Sequence, residues 1–391
     1  MDLIRHVPPS LVWPAQFCAF TIAATFIVSV ITGNVSQVDR LWTFLPTIYT
    51  AYYAFLPLFP NHQSFFLEPF TPKALGWSVA TQYSPRALLM FGLVFIWMCR
   101  LSYNTYRRGL FNPSDEDYRW QVLRGQLHPV LFQITNLVFI AGIQNVLLLL
   151  LGLPTRTAAM QAPASLAPSD YALAAAALVV LAVEFTADNQ QYAFHAYKHA
   201  HFAKKAGKVE ESEYNPAEQW PGARLNWKPE DAERGFVTRG LWAYSRHPNF
   251  NCEQGFWWII TLFPLLAPEP PHLPSEHDFP PLRTVLISLA SPDLRKPLFD
   301  VLYTALYPTM IHLLPAIALS ALFFSSTLFT ESISAKKYPK AYTAYQKRVG
   351  MFTPSGTLCK KIKLYLFASR QARDEIDRLV WGPVERADKT E

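Results

Sequence analysis

The chain has 391 residues, of which 51% are apolar and only 16% are charged. A soluble globular domain usually carries about 25% charged residues, so an ordinary soluble enzyme is disfavoured. The net charge of +6 comes from Lys and Arg in segments that border apolar runs, which fits a membrane protein and argues against nucleic-acid binding. The four cysteines are widely separated, so neither a disulfide framework nor a zinc site is predicted.

Seven apolar runs predict an all-α, polytopic membrane bundle, because about 20 apolar helical residues are needed to cross the hydrocarbon core of a bilayer. The sixth run is short, and the last contains two prolines and is interpreted as one kinked or tilted span. The predicted spans are Leu11–Thr32, Leu41–Phe59, Arg86–Tyr103, Val130–Leu153, Tyr171–Ala187, Gln254–Ala267 and Leu298–Phe329.

Loop charges predict the orientation of these spans, since Lys and Arg accumulate in cytoplasmic loops. Segments 104–128 and 188–253 and the tail after Thr330 are basic, whereas the loop 154–170 has only Arg156. Seven spans with the N-terminus outside and the C-terminus in the cytoplasm put all three basic segments on the cytoplasmic side.

The chain is predicted to divide into a transmembrane domain, residues 1–354, and a basic amphipathic tail, residues 355–391. Lysines and apolar residues alternate irregularly from Lys360 to Phe367, which predicts a short helix in the membrane interface. The lipid bilayer is therefore the first expected partner.

Polar residues at the cytoplasmic end of the fifth span form a first candidate site. Glu184 and Asp188 are four residues apart and share one helix face, and Gln191 follows at the end of the span. A carboxylate at bilayer depth costs about 2.5–3.5 kcal/mol on insertion scales, so it usually faces a cavity or a partner. The alternative is that both acids reach the interface and simply cap the span.

The segment from Gly240 to Glu253, which enters the sixth span, forms a second candidate site. Arg246 and His247 suit phosphate oxygens, Arg through its planar fork. Asn249 and Glu253 are one turn apart, so both could reach one ligand, such as nicotinamide or a ribose diol. The alternative, a basic flank with an N-capping Asn, explains Arg246 and Asn249 but not the whole cluster.

Tyrosines supply further candidate contacts. Tyr244 belongs to the second site. After the last span, Tyr338, Tyr342 and Tyr345 have spacings of four and three, which puts them on one helix face. The alternative is an aromatic belt at the membrane interface.

The second site resembles a known signature. Arg246, His247, Pro248, Asn249 and Glu253, ahead of a predicted membrane helix, are similar to the pattern Arg-His-Pro-Asn-Tyr-x-Gly-Glu/Asp of membrane reductases. These reductases include the steroid 5-alpha-reductases and the sterol C14 and C7 reductases. The chain also resembles a steroid-reductase-like family of largely unassigned function at 100–109, 116–120, 187–190, 338–342 and 352–354.

The resemblance implies a seven-helix bundle that binds NADPH from the cytoplasmic side, among helices and not on a Rossmann sheet. By residue match, Asp188, Asn249 and Glu253 would contact the cofactor, and Tyr103 would polarise a substrate ketone. Glu184 is the candidate catalytic acid. The full set of cofactor-binding candidates is Asp188, Gln191, Tyr244, Arg246, His247, Asn249, Glu253, Tyr338 and Tyr345.

The expected protein is therefore a multi-pass membrane reductase of the endoplasmic reticulum. It would use NADPH to reduce a carbon–carbon double bond, conjugated to a carbonyl, in a hydrophobic steroid- or lipid-like small molecule. Two alternatives remain open. One is an S-adenosylmethionine-dependent membrane methyltransferase resembling the isoprenylcysteine carboxyl type, which has a similar Arg-His-Pro-x-Tyr element. The other is a non-catalytic membrane scaffold that kept the bundle, because fold does not guarantee function.

Overall fold

The computed structural model describes residues 7–208 and 213–383, and every regular element within these ranges is a helix. Eight of the α-helices begin on a proline. Proline suits the first helical position because its missing N–H has no partner there and its fixed φ matches the helix. Many of the 32 prolines therefore define where helices start.

The helices of the first half include a continuous helical stretch, Pro129–Met160, interrupted by a wider π-helical segment at Asn136–Ile143. The helices are α1 (Val12–Thr32), α2 (Gln37–Leu41), α3 (Leu45–Ala54), α4 (Trp77–Thr81), α5 (Pro85–Arg107), α6 (Tyr118–Gln126), α7 (Pro129–Thr135), α8 (Gln144–Leu150) and α9 (Leu153–Met160).

The second half contains the two longest helices. Its helices are α10 (Pro168–Lys205), α11 (Pro229–Arg234), α12 (Pro248–Leu262), α13 (Leu282–Ala290), α14 (Pro292–Lys337), α15 (Pro339–Arg348), α16 (Pro354–Phe367) and α17 (Arg370–Trp381). Short 3₁₀ turns connect several of them.

Within the described residues, five helical segments are long and apolar enough to cross a bilayer. Each overlaps one of the predicted spans, so the chain is a multi-pass membrane protein by the length and composition of its helices. The five segments are Pro9–Thr32, Pro85–Arg107, Pro129–Met160, Pro168–Lys205 and Pro292–Lys337.

The other two predicted spans have different boundaries in the structure. Leu41–Phe59 is not one helix, because α3 has only 10 residues, from Leu45 to Ala54. Pro46 in its first turn has no N–H to continue an earlier helix. α12 has 15 residues and ends two residues before Pro264. Neither helix alone has the length of a full crossing, and the count of seven crossings stays a prediction.

The last predicted span is confirmed as a single helix. α14 has 46 residues and continues through Pro297, Pro308 and Pro315. At 1.5 Å per residue it is about 69 Å long, more than twice the hydrocarbon thickness of about 30 Å. Much of α14 must therefore extend beyond the bilayer.

The chain forms two compact units. The first comprises the described residues up to Leu178 and the segment Trp257–Leu319. The second comprises the described residues of Val179–Phe256 and those from Ser320 onwards. The second unit therefore contains every predicted site residue except Tyr103, which lies in the first.

Aromatic packing and one buried ion pair organise the first unit. Trp13, Tyr52 and Tyr53 are buried together, and the rings of Trp13 and Tyr52 stack with their centroids 4.5 Å apart. Arg86, at the start of α5, pairs with Asp170, at the start of α10, at 2.8 Å in a buried position. This pair fixes the starts of α5 and α10 beside each other.

Two hydrophobic clusters organise the second unit. Phe194 of α10 packs with Trp227 and Trp242 from the following loops. Tyr345 of α15 packs with Val380 of α17. The predicted tail therefore does not stand apart, since α17 forms part of a core with α15.

Candidate functional site

Two helices of the second unit carry the polar residues of the candidate site. In α10, Glu184 and Asp188 are one turn apart and only 1% and 3% exposed. In α12, which begins on Pro248, Asn249 and Glu253 are one turn apart, and Glu253 is 5% exposed. Each helix therefore presents two polar side chains on one face.

The two faces meet at a hydrogen bond. The Asn249 amide Nδ2 donates to Asp188 Oδ1 at 3.1 Å, and Asn249 Oδ1 accepts from the Phe250 main-chain N–H at 3.0 Å. The predicted cofactor contacts require α10 and α12 to converge, and the structure brings Asp188 and Asn249 into contact. The carboxylates of Asp188 and Glu253, which accept hydrogen bonds, and the Asn249 amide, which donates and accepts, suit hydroxyl and amide groups of a ligand.

The main chain ahead of α12 is fixed by the connection between α15 and α16. The N–H groups of Arg246 and His247 donate to the carbonyls of Gly350 and Met351 at 2.9 and 3.0 Å. These two bonds tie the residues ahead of α12 to the connection between α15 and α16. They set where α12 begins and therefore where Asn249 projects.

The Arg246 guanidinium is held by Glu331 near the end of α14. Its Nε and Nη2 donate to the two carboxylate oxygens at 2.6 and 2.9 Å, and Nη1 donates to the carbonyls of Gln346 and Val349. Both charged side chains are 4% exposed. A bidentate Arg–carboxylate pair is among the stronger and more directional polar contacts in proteins.

Two more donors converge on the Glu331 carboxylate. His247 Nε2 lies 2.9 Å from Oε1, and Gln346 Nε2 donates to Oε2 at 2.9 Å. An ionised carboxylate can only accept, so Nε2 of His247 carries the proton in this contact. Glu331 thus collects four hydrogen bonds from three side chains.

Lys360 of α16 completes this cluster. Its Nζ donates to the carbonyls of Gln346 and Val349. Burial lowers the pKa of Lys360 to about 8, and the nearby positive charge of Arg246 contributes in the same direction. Arg246, His247, Gln346, Lys360 and Glu331 are called the Glu331 cluster below.

The Glu331 cluster changes the interpretation of Arg246 and His247. Both were predicted to contact phosphate oxygens, but all three guanidinium nitrogens of Arg246 bind protein atoms and the His247 ring binds Glu331. A buried guanidinium needs a carboxylate partner, and α14 supplies one. In this structure the two residues position the start of α12.

The candidate tyrosines have three different environments. Tyr345 is buried, and its hydroxyl donates to the Trp242 carbonyl at 2.5 Å, so in this structure it holds the main chain, and its contact with a cofactor stays a prediction. Burial raises the pKa of Tyr345 and of Tyr338. Tyr338 is half-buried beneath Gly235. Tyr244 is 63% exposed.

Gln191 and Tyr103 complete the predicted set. Gln191 is half-buried in α10, whereas its neighbour Gln190 is buried and bonds to the main chain of Gly222 and Leu241 at 2.9 Å each. Tyr103 is half-exposed on α5 of the first unit, where the Arg107 guanidinium lies 5.1 Å from its ring centroid.

Sequence reasoning missed Glu331, Gln346 and Lys360. Glu331 is the first acidic residue after a long apolar stretch of α14, and such a lone acid at a span end is a sign of a buried partner. Gln346 and Lys360 carry no comparable signal. Among the described residues, no group of three His, Cys, Asp or Glu side chains could hold a metal ion.

Comparison with known proteins gives a family. A family model described as "Protein of unknown function (DUF1295)" matches residues 25–270. An uncharacterized protein of Schizosaccharomyces pombe is 28% identical over 328 residues, which cover 84% of this chain and 74% of the yeast protein. No solved structure matches. Because the family model covers more than half of its length, the chain belongs to the DUF1295 family.

Proposed function

We propose that the chain is a membrane-bound, NADPH-dependent reductase of the steroid 5-alpha-reductase-like superfamily. Its reaction is reduction of a carbon–carbon double bond, conjugated to a carbonyl, in a steroid- or lipid-like substrate. The observation that carries the proposal is the 3.1 Å contact between Asn249 Nδ2 and Asp188 Oδ1. It joins the two helices whose residues match the cofactor contacts of those reductases.

The polar groups of Asp188, Asn249 and Glu253 fit the ribose and carboxamide part of NADPH. The carboxylates of Asp188 and Glu253 can accept from ribose hydroxyls or a carboxamide N–H, and the Asn249 amide can both donate and accept. Both acids are nearly fully buried, where hydrogen bonds are stronger than in water. NADPH supplies the hydride when bound, and the protein supplies binding and orientation.

The phosphate part of the cofactor needs residues other than Arg246. Each of its guanidinium nitrogens already donates to a protein oxygen, and phosphate binding in place of Glu331 would require that ion pair to open. Arg246 and His247 are therefore positioning residues in the proposal, acting through the start of α12. Gln191, Tyr244 and Tyr338 remain candidates for cofactor contacts.

The catalytic candidates of the proposal are Glu184, in the second unit, and Tyr103, in the first. A Tyr hydroxyl near the carbonyl oxygen would stabilise the negative charge that develops there. Glu184 would deliver a proton to the adjacent carbon. Its support is its place on α10, one turn from Asp188 and 1% exposed, since an acid at such a depth is a candidate for function.

The proposal includes seven crossings, an outside N-terminus, a cytoplasmic C-terminus and residence in the endoplasmic reticulum. The two crossings beyond the five long helices would run through α3 and α12. Single cysteines placed in the connection 162–167, between α9 and α10, and in the tail should react with an impermeant thiol reagent from opposite sides of sealed microsomes. Labelling of both from the same side would refute this orientation.

Ligand-dependent thermal unfolding tests the function. We expect NADPH to stabilise the purified full-length protein in detergent, by about 2.7 kcal/mol at a hundredfold excess over its Kd. S-adenosylmethionine should have no effect. NADPH oxidation should then be measured over a panel of steroidal and isoprenoid enones.

Matched variants make this test specific to the site. Asn249→Ala should abolish the NADPH-dependent shift, whereas Asn251→Ala, two residues further along α12, should retain it. Stabilisation by S-adenosylmethionine alone would favour the methyltransferase, and the absence of any shift with either ligand would favour the scaffold. Equal shifts in both variants would contradict the assignment of Asn249.

A further inference from the structure

The outward face of α16 is apolar and exposed. Leu358, Ile362, Tyr365 and Leu366 recur at the spacing of one helix face, and their exposed fractions are 58%, 50%, 72% and 64%. Phe367, at the helix end, is 82% exposed. A contiguous apolar stripe of this kind indicates an interaction surface.

The opposite face of α16 is fixed to the second unit, so the apolar stripe cannot rotate inwards. The Thr357 hydroxyl donates to the Tyr244 carbonyl at 2.6 Å and accepts from the Gly350 N–H at 2.7 Å. One turn later, Lys360 donates to the Val349 carbonyl at 3.1 Å. These contacts hold the helix in one rotation.

Cationic side chains border the stripe. Lys361 and Lys363 follow Lys360 in α16 and are exposed. The stripe lines one wall of a groove of about 420 Å³, and the charged lining residues of this groove are Arg348, Lys361, Arg373 and Asp377. Positive charge therefore exceeds negative charge in a groove that is otherwise apolar.

The geometry leaves two of these cations able to reach a ligand. Arg348 Nε already donates to Asp377 Oδ1 at 2.9 Å. The Arg373 guanidinium lies 5.0 Å from the centroid of the Tyr365 ring, and within the described part of the chain only its Nη1 donates to a protein atom, the Tyr365 carbonyl, at 3.4 Å. Stacking of this kind leaves guanidinium N–H groups available to an anion. Lys361 lies on the other side of the same groove.

The position of α16 in the chain brings it to a membrane surface. The apolar part of α14 ends near Phe329, and the last eight residues of α14, then α15 and a short connection, separate it from α16. A segment tethered so closely to a crossing has a high effective concentration at the bilayer. An apolar stripe flanked by lysines is the pattern of helices that lie in an anionic interface.

We propose that α16 lies in the membrane interface and that Lys361 and Arg373, in the groove lined by the stripe, bind the phosphate of an anionic phospholipid headgroup. The stripe would contact the upper acyl chains of the same leaflet. A soluble acidic protein would match the cations but not the stripe, so a phospholipid fits both features. The proposal does not depend on the reductase assignment.

Native mass spectrometry of the delipidated full-length protein in detergent tests the proposal. Phosphatidylserine should remain bound at collision energies that remove phosphatidylcholine. The charge reversal Lys361→Glu with Arg373→Glu should weaken phosphatidylserine binding about tenfold or more, because each basic residue near an anionic surface contributes severalfold. The pair Lys204→Glu with Lys228→Glu, exposed and outside the groove, has the same charge change and should bind like wild type.

A second variant separates the two parts of the surface. Ile362→Ser with Leu366→Ser should weaken retention of both lipids, because it removes the contact with acyl chains. Equal retention of the two lipids by the wild type, or equal losses in the two charge-reversal pairs, would overturn the proposal. Displacement of phosphatidylserine by millimolar inorganic phosphate would also overturn it and indicate a site for a free anion.

Discussion

Substitution of Glu331 by Gln perturbs the Glu331 cluster with almost no change of shape. The wild-type carboxylate accepts from Arg246 at 2.6 and 2.9 Å and from His247 and Gln346 at 2.9 Å each. A Gln side chain has one acceptor oxygen, and its NH₂ group would face other donors. The variant therefore leaves the Arg246 charge buried and poorly paired.

The expected loss of unfolding free energy is about 3–5 kcal/mol, the range for removing one partner of a buried ion pair. A folded domain is usually stable by only about 5–15 kcal/mol, so this loss is a large share of the total. Asp377→Asn is the matched control. Its pair with Arg348 has a similar distance, 2.9 Å, but Asp377 is 50% exposed, so we expect a loss of at most about 1 kcal/mol.

The free energy of unfolding should be measured by equilibrium denaturation of the purified protein in one detergent. The double substitution Arg246→Met with Glu331→Met should recover much of the loss, because an apolar pair often replaces a buried ion pair at little cost. A loss below about 1 kcal/mol for Glu331→Gln, no larger than that of the control, would refute the structural role assigned to the cluster.

Two further predictions concern the second unit. The pKa of Lys360 is lowered from 10.5 to about 8 by burial and by Arg246, so between these pH values the folded chain binds fewer protons at this residue than the unfolded chain. Lys360 should therefore stabilise the wild type increasingly as pH rises from about 8 to 10. The unfolding temperature of the wild type, relative to that of Lys360→Met at the same pH, should rise across this range. Gly235→Ala should cost about 1–3 kcal/mol in the same thermal assay, because Gly235 has φ +90° and the added Cβ would collide with the Tyr338 hydroxyl. An unchanged unfolding temperature would contradict that clash.

The Glu331 cluster explains how a site on α10 and α12 is supported from the C-terminal part of the chain. Glu331 belongs to α14, Gln346 to α15 and Lys360 to α16. All three contact Arg246 or the carbonyls that Arg246 also binds. A change in the tail could thus alter the position of Asn249 without touching it.

The residue pattern predicted the pairing of Asp188 and Asn249 but not the Glu331 cluster that holds the start of α12. Asp188 and Asn249 were assigned together because a family signature placed them on two neighbouring crossings, and they form a hydrogen bond. Arg246 was assigned to a ligand because Arg commonly binds phosphate. Its actual partner is 85 residues away, and no periodicity connects residues at that separation.

The sequence by itself determined the helical class and the five long apolar segments, because apolar length and the positions of proline act locally along the chain. It did not determine where α3 and α12 end, or which charged groups pair. Those outcomes depend on which side chains meet once the helices pack. A charged group that becomes buried is costly unless it is paired, and its partner is the opposite charge that packing brings close to it. Glu331 and Arg246 became partners only in the folded second unit.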